Sequence, residues 1–162
     1  MTARATDPEI TLLLGIMEEA YRKAAWHGPN LRGSIRGVKP HQAAWRPRPG
    51  RHNIWEIVVH AAYWKYIVRR RLVGDTSNSF PLEGRNWFER PDELSAAAWQ
   101  RDRKLLEVCH RRLREAVQRL DQKDLRRKSK GSRVTNAVMI AGSAAHDVYH
   151  AGQIQMLKRL MA

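Results

Sequence analysis

Residues 146–154 read HDVYHAGQI, and the spacing of His146 and His150 sets the reading of the whole chain. Apolar residues around the pair recur with helical period, so a helix is expected over residues 134–160. Four residues make about one helical turn, which stacks both imidazoles on one side. The face expected to turn inward carries Val138, Gly142, His146, His150, Gln153, Leu157 and Leu160.

A third histidine lies in residues 54–68, IWEIVVHAAYWKYIV. A helix is expected over 53–73, with Ile54, Ile57, His60, Ala61, Trp64, Val68 and Leu72 on one face and Gly74-Asp75 as its stop. A first helix is expected over 8–26. It opens on Asp7-Pro8-Glu9, a capping residue, a first-turn proline and an acid near the positive end of the helix dipole. Ile10, Leu13, Leu14, Met17, Tyr21 and Ala24 mark its buried side, and Gly28-Pro29 closes it. After Pro91, Trp99, Leu106, Leu113 and Leu120 repeat every seven residues, widened by Cys109, Ala116 and Val117, so a long helix should run to about 121.

Between these lie a Gly/Pro-rich stretch from Asn30 to Arg51, where no regular structure is expected, and a second connection through Pro81, Gly84, Asn86 and Trp87. A basic loop follows from Lys123 to Arg133. No strand-like alternation competes and no internal repeat is evident, so the expectation is an all-α four-helix bundle forming one domain over residues 1–162.

Thirty Lys and Arg stand against 16 Asp and Glu, which suits an anionic partner such as nucleic acid or an acidic substrate. Arg101, Lys104, Arg111, Arg112 and Arg119 fall opposite the apolar stripe of the third helix, where a solvated face is the plain reading. Arg69-Arg70-Arg71 and Arg126-Arg127-Lys128 add local density. Aromatics do not interleave with the basic runs, and neither zinc-finger nor helix-turn-helix spacing appears, which leaves nucleic acid the lesser alternative. One cysteine cannot form an intrachain disulfide. Asp7, Glu9, Glu18 and Glu19 surround the first apolar run, unlike a signal peptide. No run approaches the roughly 20 apolar residues that span a bilayer. A cytoplasmic protein without membrane partners is expected.

Neutral imidazole is a common ligand of zinc, nickel, iron and copper, and three on facing helices leave coordination positions open. The competing reading makes each histidine a hydrogen-bonded core residue. Two polar groups at successive positions of a buried face cost desolvation unless something compensates, which makes the pair more informative than a lone histidine. Asp147 gives HDVYH a superficial likeness to the HExxH helix of metalloproteases, but it is a methylene shorter than glutamate and the remaining ligand pattern is missing. Asp147 either orients a ligand, accepts a proton or is solvated. Gln153, one turn beyond His150, either supports a ligand or caps a backbone group. Trp64 and Tyr149 are expected to wall the site. His27, His41 and His52 read as surface residues, His110 as a boundary residue or a fourth ligand, and Cys109 as a buried small hydrophobe.

HDVYHAGQI, together with residues 54–74 (IWEIVVHAAYWKYIVRRRLVG) and 43–53 (AAWRPRPGRHN), resembles the DinB/YfiT-like superfamily of metal-dependent four-helix bundles. The resemblance spans nearly the whole chain. It implies up-down-down-up connectivity with long first and second connections, frequent homodimers, and a divalent metal, zinc or nickel, on His60, His146 and His150. Relatives include bacterial thiol S-transferases, which implies a metal-dependent thiol transferase or related detoxifying enzyme with a small acidic thiol as substrate. Asp147 and Gln153 are the candidate supporting residues for catalysis. The alternatives are a stress-response or nucleic-acid-binding module with a structural metal, and a metal-dependent hydrolase.

Overall fold

The computed structural model describes residues 7–77 and 79–162. Residues 1–6, part of the N-terminal stretch weighed above as a targeting segment, and Asn78 lie outside the described residues. Helices are the only regular elements among the described residues: α1 (Pro8–Tyr21), α2 (Leu31–Ser34), α3 (Pro40–Ala44), α4 (Ile54–Val73), α5 (Ala96–Gln118), α6 (Gln122–Arg126) and α7 (Asn136–Leu160). None is long and apolar enough to cross a membrane.

The start signals act as expected. Side chains of Asp7, Asn53, Ser95 and Thr135 accept from the first-turn amides of α1, α4, α5 and α7, satisfying groups the helices leave unpaired. Gly74 ends α4 in the left-handed region at φ 67°. Helix α1 stops short of the expected residue 26, because the Glu18 carbonyl accepts from both Arg22 and Lys23 and closes the last turn. Ala24 therefore lies beyond the helix and is exposed.

Three short helices occupy stretches read as irregular. Asn30 caps α2 through the Gly33 amide at 2.7 Å, and Pro40 opens α3 with its φ already helical. Asp121 and Asp124 cap α6 reciprocally, and α6 buries Leu125 within the stretch expected to be a basic loop. Local capping outweighs composition in all three. Helix α5 ends three residues early, leaving Leu120 beyond it.

The four long helices pack in the cyclic order α1, α5, α4, α7. Tyr21 meets Glu107 while Glu18 meets His110, so α1 and α5 run in opposite directions. Trp55 near the start of α4 meets Asp102 near the start of α5, and Val68 and Leu72 share a cluster with Leu113 and Val117, so these two helices run side by side in one direction. One end of the core is built on Trp55, Ile54, Leu106 and Ile154, the other on Ile10, Leu113, Leu125 and Ile140.

The phase of α7 corrects the expected inward face. Val138 and Leu160 are more than half exposed and Gly142 is exposed, whereas Met139, Ile140, Ala144, Asp147, Ala151 and Ile154 are buried with His150 and Leu157. A strict four-residue series advances about 400° per step, so it drifts roughly 40° each time off a face that it shares at His146.

Candidate metal centre

Helices α4 and α7 bring the three predicted histidines together. His60 Nε2 lies 3.1 Å from His146 Nε2, which lies 3.0 Å from His150 Nε2. His60 and His150 are buried and His146 is partly buried. The outer nitrogens of two rings are already engaged. His60 Nδ1 donates to the Asn86 carbonyl at 2.8 Å, and His150 Nδ1 donates to Gln153 Oε1 at 2.7 Å.

Those bonds place the proton of each ring on Nδ1 and turn the bare Nε2 lone pair inward. His146 can give an N–H to one of the two facing lone pairs, but not to both. Three converging acceptors without enough protons between them are a donor set for a cation. Two nitrogens each about 2.1 Å from one ion are separated by about 3.0 Å at a right angle, so the observed edges fit a divalent transition metal. Burial drives the His60 pKa down to about 4 and the His146 pKa to about 3, and lowers that of His150. All three are thus held in the neutral form that ligates.

The second connection supplies residues the sequence reading passed over. Asn86 sits at φ 68°, a left-handed conformation that asparagine tolerates better than most residues. There its carbonyl meets His60 while its Oδ1 accepts from Trp64 Nε1 at 2.8 Å. Trp87 stacks on His60 at 3.8 Å and carries His52 on its other face at 3.6 Å. His52 is exposed, as expected of a surface residue, and its Nδ1 donates to Glu56 at 2.9 Å. Arg46 grips the other side of Glu56 with bonds of 2.5 and 2.8 Å. Burial pushes the Glu56 carboxyl up, but Arg46 and His52 bring it below its ordinary value. Asparagine before tryptophan in a glycine-bearing connection was the available signal; no periodicity could have revealed it.

Asp147 is not solvated. It is 1% exposed and accepts from Lys65 Nζ at 2.5 Å. Gln153 supports His150 as described, and its Nε2 donates to Tyr149 Oη at 3.1 Å. Tyr149 and Trp64 flank the imidazoles edge-on. His110 is neither a boundary residue nor a fourth ligand. It is 2% exposed, faces Glu18 at 3.1 Å and stacks on Tyr21 at 3.7 Å. His27 and His41 are exposed, Cys109 is buried, and the five basic residues of the α5 outer face are exposed as expected. Beside the histidines, with Trp87 and Gln153 in its wall, opens a cavity of about 480 Å³.

A family model described as the DinB superfamily matches residues 24–154. No curated protein and no solved structure matches the chain significantly. The match covers α2 through most of α7, including all three histidines, and the chain belongs to the DinB superfamily.

Proposed function

We propose that this chain is a cytoplasmic, metal-dependent enzyme in which His60, His146 and His150 hold one divalent ion, zinc or nickel, and which transfers a small acidic thiol to an electrophile or performs a related detoxifying reaction. The observation that carries this reading is the approach of His60 and His150 Nε2 to His146 Nε2, at 3.1 and 3.0 Å, while two of the Nδ1 atoms are bound elsewhere. A divalent ion held there would supply Lewis acidity that lowers the pKa of a thiol placed against it.

The chain's own residues do the rest. Asn86 and Gln153 fix the tautomers of His60 and His150, as partners of metal-binding imidazoles commonly do. Trp87 limits water at the buried side of His60 by stacking on it. The ligand-capable group contains three residues among those described, which supports a site with room for substrate over a closed structural one. A hydrolytic reading would need Asp147 as a base. Because its carboxylate is engaged by Lys65, the proposal gives Asp147 a positioning part and Gln153 the support of His150.

The proposal extends to a homodimer. Between Val138 and Gly152 the exposed residues of α7 are Val138, Ala141, Gly142, Ala145, Tyr149 and Gly152. None is charged, on a chain whose formal charge is +14, which supports a covered face.

Metal analysis of the purified protein and of His146→Ala tests the centre; the variant should lose stoichiometric metal, and unchanged content rejects the ligand set. Loss of free thiol in the presence of an alkyl halide then tests the chemistry. It should require metal-loaded protein, and equal rates with and without protein reject thiol transfer.

A further inference from the structure

The cavity of about 480 Å³ beside the histidines falls within the range that holds small organic ligands. Its wall is divided by chemistry. Ile57, Trp87, Met156 and Leu157 make its apolar floor, Arg48, Arg51, His52 and Gln153 contribute polar groups, and no carboxylate of a described residue lines it. Neither guanidinium forms an ion pair with a described residue, whereas Arg46 in the same loop is committed to Glu56. Met156 is 58% exposed, an unpaired flexible apolar side chain of the kind that adapts to a ligand.

The loop presenting the two arginines is ordered in advance. Pro47 and Pro49 fix their own φ angles, and Gly50 takes the positive φ that closes the turn. Arg51 N–H donates to the Arg48 carbonyl at 3.3 Å, and Arg46 Nη1 donates to the Arg51 carbonyl at 2.7 Å. A ligand meeting both guanidinium groups therefore spends little on ordering the backbone that carries them.

We propose that this cavity binds an amphiphilic organic anion, a small carboxylate with an aryl or alkyl body, and presents it to the histidine centre as the co-substrate. The carboxylate takes the unpaired Arg48 and Arg51, and the body covers Ile57, Met156 and Leu157. An inorganic anion would leave that floor wet, and a neutral apolar molecule would make no use of the arginines. Trp87 and Gln153 belong both to this wall and to the surroundings of His60 and His150, so the ligand lies one side chain from the imidazoles. The co-substrate role rests on the metal-centre reading; the binding does not.

Calorimetric titration of the full-length, metal-loaded protein with 4-phenylbutyrate, 4-phenylbutan-1-ol and acetate tests it. One saturable site for 4-phenylbutyrate is expected, at least tenfold tighter than for the alcohol or acetate. The double variant Arg48→Gln/Arg51→Gln should lose that tenfold preference, and Met156→Gln should weaken the acid severalfold. All three residues are exposed on a surface loop or helix face, so circular dichroism should show an unchanged fold. Equal binding of acid and alcohol, equal binding of acid and acetate, or an unaltered preference in the arginine variant overturns the proposal. His146→Ala should lose metal yet bind 4-phenylbutyrate within about threefold of the parent. Metal retained in that variant rejects only the centre, and absent probe binding with metal present rejects only the cavity.

Discussion

Lys65 Nζ meets the Asp147 carboxylate at 2.5 Å, one residue beyond His146, with 2% and 1% of the two side chains exposed. The pair joins α4 to α7 at the level of the histidines, five residues after His60 on one helix and one after His146 on the other. Burial pushes the Asp147 carboxyl up while Lys65 pulls it down. The ammonium also sits over the Tyr21 ring at 5.1 Å, which brings α1 into the same junction. Two charges withdrawn from water return little net stability, but either one alone is costly. The pair therefore sets the rotation of α7 against α4 more than it adds to the total.

Asp147→Leu should consequently lower unfolding stability by about 3–5 kcal/mol, because it strands the Lys65 charge. Lys65→Met/Asp147→Leu should recover most of that loss in urea denaturation, since it removes both buried charges. A double variant as unstable as the sum of the singles would show that the pair does not act as a unit. The Asp147 single variant, refolded and saturated with metal, should also bind it more weakly, as expected of a residue that positions His146.

Gln153 touches His150 and not the converging Nε2 atoms, so its removal should weaken metal binding without changing the ligand count. Gln153→Leu is expected to lower metal affinity about 10–100-fold with one ion still bound at saturation. Competition with a chelator measures this directly. Gln153→Glu preserves the acceptor for His150 Nδ1 and should restore most of the affinity; a glutamate variant as weak as the leucine one would show that Gln153 merely fills space.

His110 makes stability depend on pH. Burial, with the nearby Lys65 charge, lowers its pKa to about 3, although Glu18 opposes the shift. In the unfolded chain the imidazole titrates near 6.5. Between those values the unfolded state carries the extra proton, so stability rises with pH. The contribution is complete above about 6.5 and is lost as pH falls toward 3. At about 1.4 kcal/mol per unit, it amounts to roughly 5 kcal/mol across that range. His110→Gln keeps a hydrogen-bond donor for Glu18 and removes the titration. Its stability should fall less steeply than the parent's between pH 6.5 and 4 in urea titrations, both with chelator present. Parallel curves would place the acid sensitivity elsewhere.

The long helices and the three histidines were legible because both follow helical period. His60, His146 and His150 needed only the correct phase over one turn, where a four-residue step still keeps to one face. Over Val138 and Gly142 the same step drifted, and the inward face was misplaced. Asn86, Trp87 and Glu56 were not legible, because their parts depend on a loop folding back over α4, and sequence spacing does not encode that return. Asp102 is a similar case. It falls in the charged pattern of α5, yet it is 2% exposed and accepts from Trp55 Nε1 at 2.8 Å and from the buried Arg90. A carboxylate facing inward is recognised only once its donors are known.

Cys109 carries the last prediction. It is 7% exposed, and burial pushes its thiol up to about 11 despite the pull of Arg112, Lys65 and Arg69. Reaction with a disulfide reagent needs both access and thiolate. A thiol held near 11 carries about 100-fold less thiolate at pH 8 than one at its ordinary value, before access is considered. The folded protein should therefore react at least about 100-fold more slowly than the urea-unfolded chain, which should titrate one thiol. Reaction of the folded protein should follow the rate of local opening and become independent of reagent concentration at high reagent. A fast, second-order reaction at pH 7 would instead mark Cys109 as an accessible thiolate and require α5 to open where it packs on α4.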